Sequence, residues 1–327
     1  MLRRAALALC LVVSMCSVTF PLAAEAQRVV KIYRIGVLGL SNAAELAEDI
    51  GVFRQALREL GWVNERALTF DERYADGRYE RLSELAAELV ALKVDVIFTG
   101  GTPAVEAAMK ATREIPIVFS NVADPLRQKM VQSLAHPGGN VTGFSMMSSE
   151  QLIKKLALLK EVVPGIKRVA YFFNGANPAT AYFVPAAKAA SESLGIHVET
   201  FDVRDSEDVD KAFEKISRAG VQALSIQPDY TLDIYLKRFG ELALKHRLPL
   251  MASDDEIGVL LTYSQDTPAL FRQVAAYVDK ILKGSNPGDL PIQQPTKFRL
   301  VINLNTAKAI GITIPQSLLV RADEVIQ

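Results

Sequence analysis

What most limits the fold of this chain is an alternation. Short β-branched runs are each followed by a stretch whose apolar residues recur three and four apart, the grammar of parallel sheets wound through crossover helices. Residues 33–38 read as the first strand. Its loop holds Gly39, Ser41 and Asn42, and a helix follows with Ile50, Phe53, Leu57 and Leu60 on one face, stopped by Gly61. Residues 67–74 form the next strand, and Leu82, Leu85, Ala86, Leu89 and Leu92 mark the next helix. Strand 94–98 leads into Gly100, Gly101 and Thr102, with Pro103 in the first turn of a helix, where a missing N–H costs nothing. A fourth strand at 115–119 completes one α/β unit.

The pattern then restarts. A helix is expected over 151–162, with Leu152, Leu156 and Leu159 on one face, then a strand at 168–173 and a helix over 178–194 closed by Gly195. Strands at 197–203, 223–226 and 248–251 alternate with helices at 209–218 and 232–245. Between the units, 135–143 is rich in turn formers and reads as a crossing between lobes; 260–263 and 290–298 are the second and third. The expected architecture is therefore α/β, two doubly wound parallel-sheet lobes joined by a three-strand hinge. Lobe 1 takes 27–141 plus about 264–291, lobe 2 takes 142–263, and 292–327 forms a C-terminal crossover and tail.

Residues 1–26 read as an export signal: Arg3 and Arg4, an apolar run over 5–20, then Ala24, Glu25 and Ala26, the small-x-small pattern cut after Ala26. This places the mature protein in the periplasm. Both cysteines, Cys10 and Cys16, lie in the signal, so disulfides, thiol catalysis and thiolate metal sites all drop out after cleavage. Whole-chain charge is balanced, with 37 basic and 37 acidic residues, which weighs against nucleic acid or an anionic membrane surface as partner. No second apolar stretch approaches spanning length, so the mature chain is not expected to cross a membrane.

In a doubly wound sheet, ligands sit beyond the carboxyl ends of the strands. The loops placed there are 39–42, 100–103, 120–125, 174–178, 227–230 and 253–255. They are rich in small residues, amides, hydroxyls and Asp, which suits a polar small molecule ringed by helix-start N–H groups.

Ordered strings sharpen this reading. Gly101-Thr102-Pro103-Ala104, Ile115-Pro116-Ile117-Val118-Phe119, Ala123-Asp124-Pro125, the 137–143 string and the tail segments 277–284, 301–304 and 321–326 together resemble the ABC transporter substrate-binding family that includes tryptophan-binding members. The resemblance runs in order through the mature chain. It implies a type I periplasmic-binding-protein fold, a monomer whose cleft closes on a small-molecule solute, possession of no cofactor, and delivery to an inner-membrane ABC permease driven by a separate ATPase. An amino acid, aromatic among others, is the implied solute. Carried over by position, the resemblance favours Thr102 and its helix-start N–H for a carboxylate, Asp124 in the Asp-Pro loop, and Asn177, Asp229 and Ser253 in the second lobe. Asp229 is the first choice for an ammonium partner, and Ser41, Asn42, Tyr182 and Asp254 complete the expected ligand-binding set. The chain departs from the family at 258–264, where Gly258-Val259-Leu260-Leu261 and Tyr263-Ser264 replace a glycine-rich turn.

Each position also has a purely structural reading. Asp124 before Pro125 is an ordinary turn or cap residue, Thr102 a helix cap, and Asn177-Pro178 a common helix entry. Tyr182, Tyr230 and Tyr263 suit stacking on a planar ligand or packing, and Trp62 reads as packing. Asn140-Val141-Thr142 matches a glycosylation acceptor and, equally, a turn into the hinge. Asp254-Asp255-Glu256 reads as a solvated loop with one ligand-facing carboxylate rather than a cation site, because adjacent carboxylates do not converge.

Catalysis finds no foothold. His136, His197 and His246 are scattered, and there is neither a Gly-x-Ser-x-Gly elbow nor a phosphate loop, so no catalytic residue and no metal ligand is assigned. A solute receptor for an ABC importer leads. A sensor subunit for a membrane receptor or kinase shares its fold, and an exported hydrolase would need a nucleophile and base that the sequence lacks.

Overall fold

Strand β1 (Tyr33–Gly39) sends Ile35 and Val37 to one face of its sheet and Leu38 to the other, and each face meets its own apolar layer. In the computed structural model, which describes residues 31–63, 67–146 and 148–327, this two-sided burial recurs throughout. The export signal lies outside the described residues. Ile32–Gln327 forms one compact unit.

The first sheet has the order β2-β1-β3-β4-β5, with β2 (Leu68–Tyr74), β3 (Val96–Gly100), β4 (Ile117–Val122) and β5 (Val141–Ser145), all parallel. Helices α1 (Ala47–Glu59) and α9 (Thr267–Leu282) cover one face through Phe53, Leu57, Phe271 and Val274, while α2 (Leu82–Ala91) and α3 (Thr102–Ala111) cover the other. Phe53 is wholly buried against Phe98; a large apolar side chain so buried contributes about 1.5–3 kcal/mol.

The second sheet has the order β12-β11-β10-β9-β8-β6-β7: β6 (Arg168–Phe173), β7 (His197–Asp202), β8 (Ala223–Ile226), β9 (Leu250–Ala252), β10 (Leu261–Gln265), β11 (Phe298–Asn303) and β12 (Glu324–Ile326). Its pairings are parallel except β10 with β11. Along β6, Val169 and Tyr171 face α4 (Ser148–Val162) and α5 (Thr180–Leu194), and Ala170 and Phe172 face α6 (Ser206–Ala219) and α8 (Leu236–His246). Asp205 caps α6 by accepting from Asp208 N at 2.8 Å, and left-handed Gly220 ends it.

The molecule is thus two parallel-sheet α/β lobes joined by three connections. The chain leaves the first sheet after Ser145, returns from Gln265 into α9, and crosses again beyond Gln293, which bridges Phe144. The 135–143 string read as the first crossing precedes and enters β5 instead. Its Asn140 is buried and donates its amide to Ile115 O at 2.7 Å, holding the turn before a short, fully buried strand. The tail, with α10 (Leu304–Ile310), α11 (Gln316–Leu319) and β12, joins the second lobe. The expected 232–245 helix is two, α7 (Tyr230–Ile234) and α8, parted at Tyr235. Among the described residues no helix is long and apolar enough to cross a membrane.

Candidate functional site

The carboxyl ends of both sheets point at one another, and a cavity of about 610 Å³ lies between them. That volume is within the range of about 300–1,000 Å³ usual for small-molecule clefts. Three of its walls follow strand order: the β1 loop with Ser41, the β3 loop running into Thr102, and the end of β4 with Ser120 and Asn121. A register shift in β4 between Phe119 and Val122 puts Asn121 at φ 57°, and its Oδ1 accepts from the Gln265 amide at the second connection. From the second lobe come Asn177 after β6, Asp229 after β8, and Ser253 and Asp254 after β9.

Helix α3 starts at Gly101, φ 77°, without a side-chain cap, and Gly101 and Thr102 line the cavity. Uncapped helix-start N–H groups facing a cavity form an anion-binding surface. Thr102 is buried, and its hydroxyl lies 3.2 Å from the Gln128 amide that donates to it.

Asp229 is the most heavily bonded side chain here. Its Oδ1 accepts from Asn174 Nδ2 (3.2 Å), Thr231 N (2.9 Å) and Leu232 N (3.3 Å), and its Oδ2 from Asn177 Nδ2 (2.6 Å) and the Tyr79 hydroxyl (3.2 Å). The residue caps α7 and ties it to the first lobe through Tyr79. A second tie joins the lobes at the rim, where Asn42 Nδ2 lies 3.5 Å from the Tyr230 hydroxyl. Asn42 also donates to Glu45 Oε1 at 2.9 Å and accepts from the Ala44 and Glu45 N–H groups, an Asx turn opening α1.

Of the residues expected from sequence, Ser41, Thr102, Asn177, Asp229, Ser253 and Asp254 line the cavity and Asn42 sits beside it. Asp124 and Tyr182 are not among the lining residues. Asp124 accepts from Arg127 N at 3.0 Å and pairs with the Arg127 guanidinium, the cap role that its Asp-Pro context allows. Tyr182 gives way to its neighbour Phe183, which faces the cavity. Tyr263 stacks on Phe298 at 5.3 Å, and the Trp62 indole donates to Asp279 at 2.9 Å, so both serve packing.

Four charged groups escaped the sequence reading: Asp49, Asp233 and Lys155 sit on helices rather than strand-end loops, and Glu45 lies in the turn that precedes α1. Glu45 just before α1, Asp49 in the first turn of α1 and Asp233 on α7 line the cavity. Lys155 is 2% exposed and donates to Ser253 Oγ at 3.1 Å, directly behind the wall. Its signal was present: with Leu152, Leu156 and Leu159 it shares the apolar face of α4.

Burial pushes the Lys155 ammonium down to about 8, against the pull of Asp233 and Asp254. Burial, reinforced by Asp254 and Asp229, lifts Asp233 well above the carboxylate range, with Lys155 opposing. Asp49 rises to about 6 through burial and the charges of Glu48 and Asp254. Asp254 is exposed, yet crowding by the cleft walls still raises it, with Lys155 opposing.

Residues 34–326 match the family model described as ABC transporter substrate binding protein. The chain belongs to this family. It is 25% identical over 279 residues to the tyrosine-binding protein of Clostridioides difficile (strain R20291), covering 84% of this chain and 80% of that one. A conserved domain protein from Vibrio cholerae has the same fold at TM-score 0.84 and 28% identity, over 90% of this chain and all of that one. The L-Trp complex of an ABC domain from Streptococcus pneumonia matches at TM-score 0.82 and 26% identity, with the same coverage. An ABC sugar transporter subunit from Rhodobacter sphaeroides, 13% identical at TM-score 0.59 over 83% of this chain and 98% of that one, shares the fold. The substrate-binding protein thus has the type I periplasmic-binding-protein architecture.

Proposed function

We propose that this substrate-binding protein is the exported receptor of an ABC importer. It takes a solute of amino-acid size between its lobes and presents the closed form, as a monomer outside the cytoplasmic membrane, to a permease whose ATPase is a separate chain. The observation that supports this most directly is the cavity walled by both lobes, with Tyr79 and Asp229 bonded between them. A solute touching both walls stabilises the closed arrangement by its differential affinity for it, which is how a hinge becomes a reporter of occupancy.

An amino acid is the solute class that the relatives support, one being named for tyrosine and another solved with L-Trp. The cleft suits that chemistry, with helix-start N–H groups at Gly101 and Thr102 for a carboxylate and acidic side chains opposite for an ammonium. The role requires no turnover.

Thermal unfolding against a panel of amino acids, peptides, nucleosides and organic anions tests the proposal. A true solute at about a hundred times its Kd adds about 2.7 kcal/mol to stability. Silence from every compound, or conversion of any of them, would overturn it.

A further inference from the structure

The charge of the cleft is lopsided. Glu45, Asp49, Asp229, Asp233 and Asp254 line the cavity, and no lysine, arginine or histidine is among its described lining residues. A countercharge to Asp233 and Asp254 comes from one ammonium, that of Lys155, behind Ser253.

Two of the five carboxylates are already occupied. Asp229 accepts from five protein donors, and Glu45 takes the Asn42 amide. Asp49, Asp233 and Asp254 accept no hydrogen bond from any described residue, and they come from both lobes. A neutral amino acid brings one ammonium, which answers one of them and leaves like charges facing across a closing cleft. That residue of negative charge asks for a second positive group on the solute.

We infer that the solute is an organic cation with two separated positive groups, a basic amino acid or a diamine of similar length; this rests on the solute-binding reading above. Among the described residues no three carboxylates or other ligating groups converge to hold a metal ion, so separated charges fit where a point charge does not. Phe98 and Phe271, edge to face at 5.6 Å, lie on the same cavity wall and suit an alkyl stem or a cation over a ring. The start of α3 distinguishes the two sources: it serves an α-carboxylate, which a basic amino acid has and a diamine lacks.

Protonation supports the same conclusion. Asp49 faces Glu48 on its own helix and Asp254 from the other lobe; Asp233 faces Asp254, Asp229, Glu45 and Lys155. All three unbonded carboxyls are raised, and a bound cation, which favours their ionised forms, draws protons off them.

Calorimetry on the mature protein, in two buffers of different ionisation enthalpy, tests this with L-arginine, L-ornithine, agmatine and putrescine against L-tyrosine, L-tryptophan, L-glutamate, Mg²⁺ and Ca²⁺. At least one cation is expected to bind about tenfold or more tighter than every neutral or anionic compound and to release protons, and Asp233→Asn and Asp49→Asn should each weaken it about tenfold. Both variants remove charge that burial opposes, so ligand-free melting at or above the parent's shows that they fold. Preference for the amino acids over the diamines assigns the α-carboxylate to α3, and the reverse preference removes it, the cationic class standing in either case. Equal or tighter binding of a neutral amino acid, undisturbed by Asp233→Asn, would overturn the inference and leave the receptor reading in place. A metal ion binding in place of the organic cations would overturn it too, and no binding by any compound would remove both readings.

Discussion

The Tyr79 hydroxyl, on the first lobe, donates to Asp229 Oδ2 on the second at 3.2 Å, while Asn174 Nδ2 donates to the same hydroxyl at 3.2 Å. One phenol thus fastens two loops of the opposite lobe. Tyr79→Phe removes it and leaves Asp229 with four donors from its own lobe, so the ligand-free fold should change by less than about 1 kcal/mol. The closed state loses a hydrogen bond worth about 0.5–1.5 kcal/mol, which predicts solute affinity lower by about two- to tenfold and a larger ligand-free radius of gyration. Calorimetry and small-angle scattering read both quantities. Unchanged values would mean that this contact carries no closure energy.

Asp229→Ala has a different signature. The carboxylate caps α7 through Thr231 N and Leu232 N and accepts from Asn174 and Asn177, both buried. Its loss removes the cap and strands two buried amides, so ligand-free stability should fall by about 2–4 kcal/mol, measured by denaturant melts. Asp229→Asn keeps an acceptor and should recover part of the loss. An alanine variant as stable as the parent would contradict this capping role.

Strand-end loops are where the sequence was most informative, for a geometric reason. Once β1, β3, β6, β8 and β9 are placed, the parallel topology sends Ser41, Thr102, Asn177, Asp229 and Ser253 to one cleft without further information. Helix residues carry no such guarantee, because their direction depends on how the helix rolls against its sheet. Asp49 and Asp233 therefore carry no signal that separates them from ordinary helix-surface charges, whereas Lys155, set among leucines, departs from its pattern. Asp124 and Tyr182 mark the opposite limit. Asp-Pro loops and helix aromatics satisfy local geometry as well as they satisfy a ligand; here Asp124 bonds Arg127, and Phe183 rather than Tyr182 lines the cavity. Strand β5 was hidden by its own turn, since the glycines at 138 and 139 dominate a five-residue strand.

Gly77 offers a way to prop the cleft through one wall residue, Tyr230. Its φ is 77°, and a Cβ built there would lie 2.8 Å from the Tyr230 ring of the other lobe. Gly77→Val adds bulk at that approach and strains a left-handed backbone position, costing about 1–2 kcal/mol locally. The larger effect falls on closure: Tyr230 must retreat, taking its contact with Asn42. Solute affinity is expected to drop more than tenfold while the lobes still fold, visible as preserved far-UV circular dichroism with an expanded scattering profile. Normal affinity would show that the lobes close by a path that avoids this pair.

Acidity should act on the empty protein and on binding in opposite directions. The Asp49 carboxyl sits at about 6 in the folded chain, against 3.8 for its ordinary value, through burial and the charges of Glu48 and Asp254. Between those two values the folded state holds the proton more often than the unfolded one, so this group's contribution to stability falls as pH rises through the window and its full penalty is present above 6. Lys155, at about 8, stays protonated throughout this range and does not mask the effect. Asp49→Asn removes the penalty, so the variant should melt above the parent at pH 7 and the gap should close toward pH 4.5. Binding of a cationic solute runs the other way, because it needs the carboxylate: affinity should weaken as pH drops below 6 in the parent and respond less in the variant. Parallel melting curves for parent and variant across the whole range would show that Asp49 does not titrate in this window and would take the proton-coupled part of binding with it.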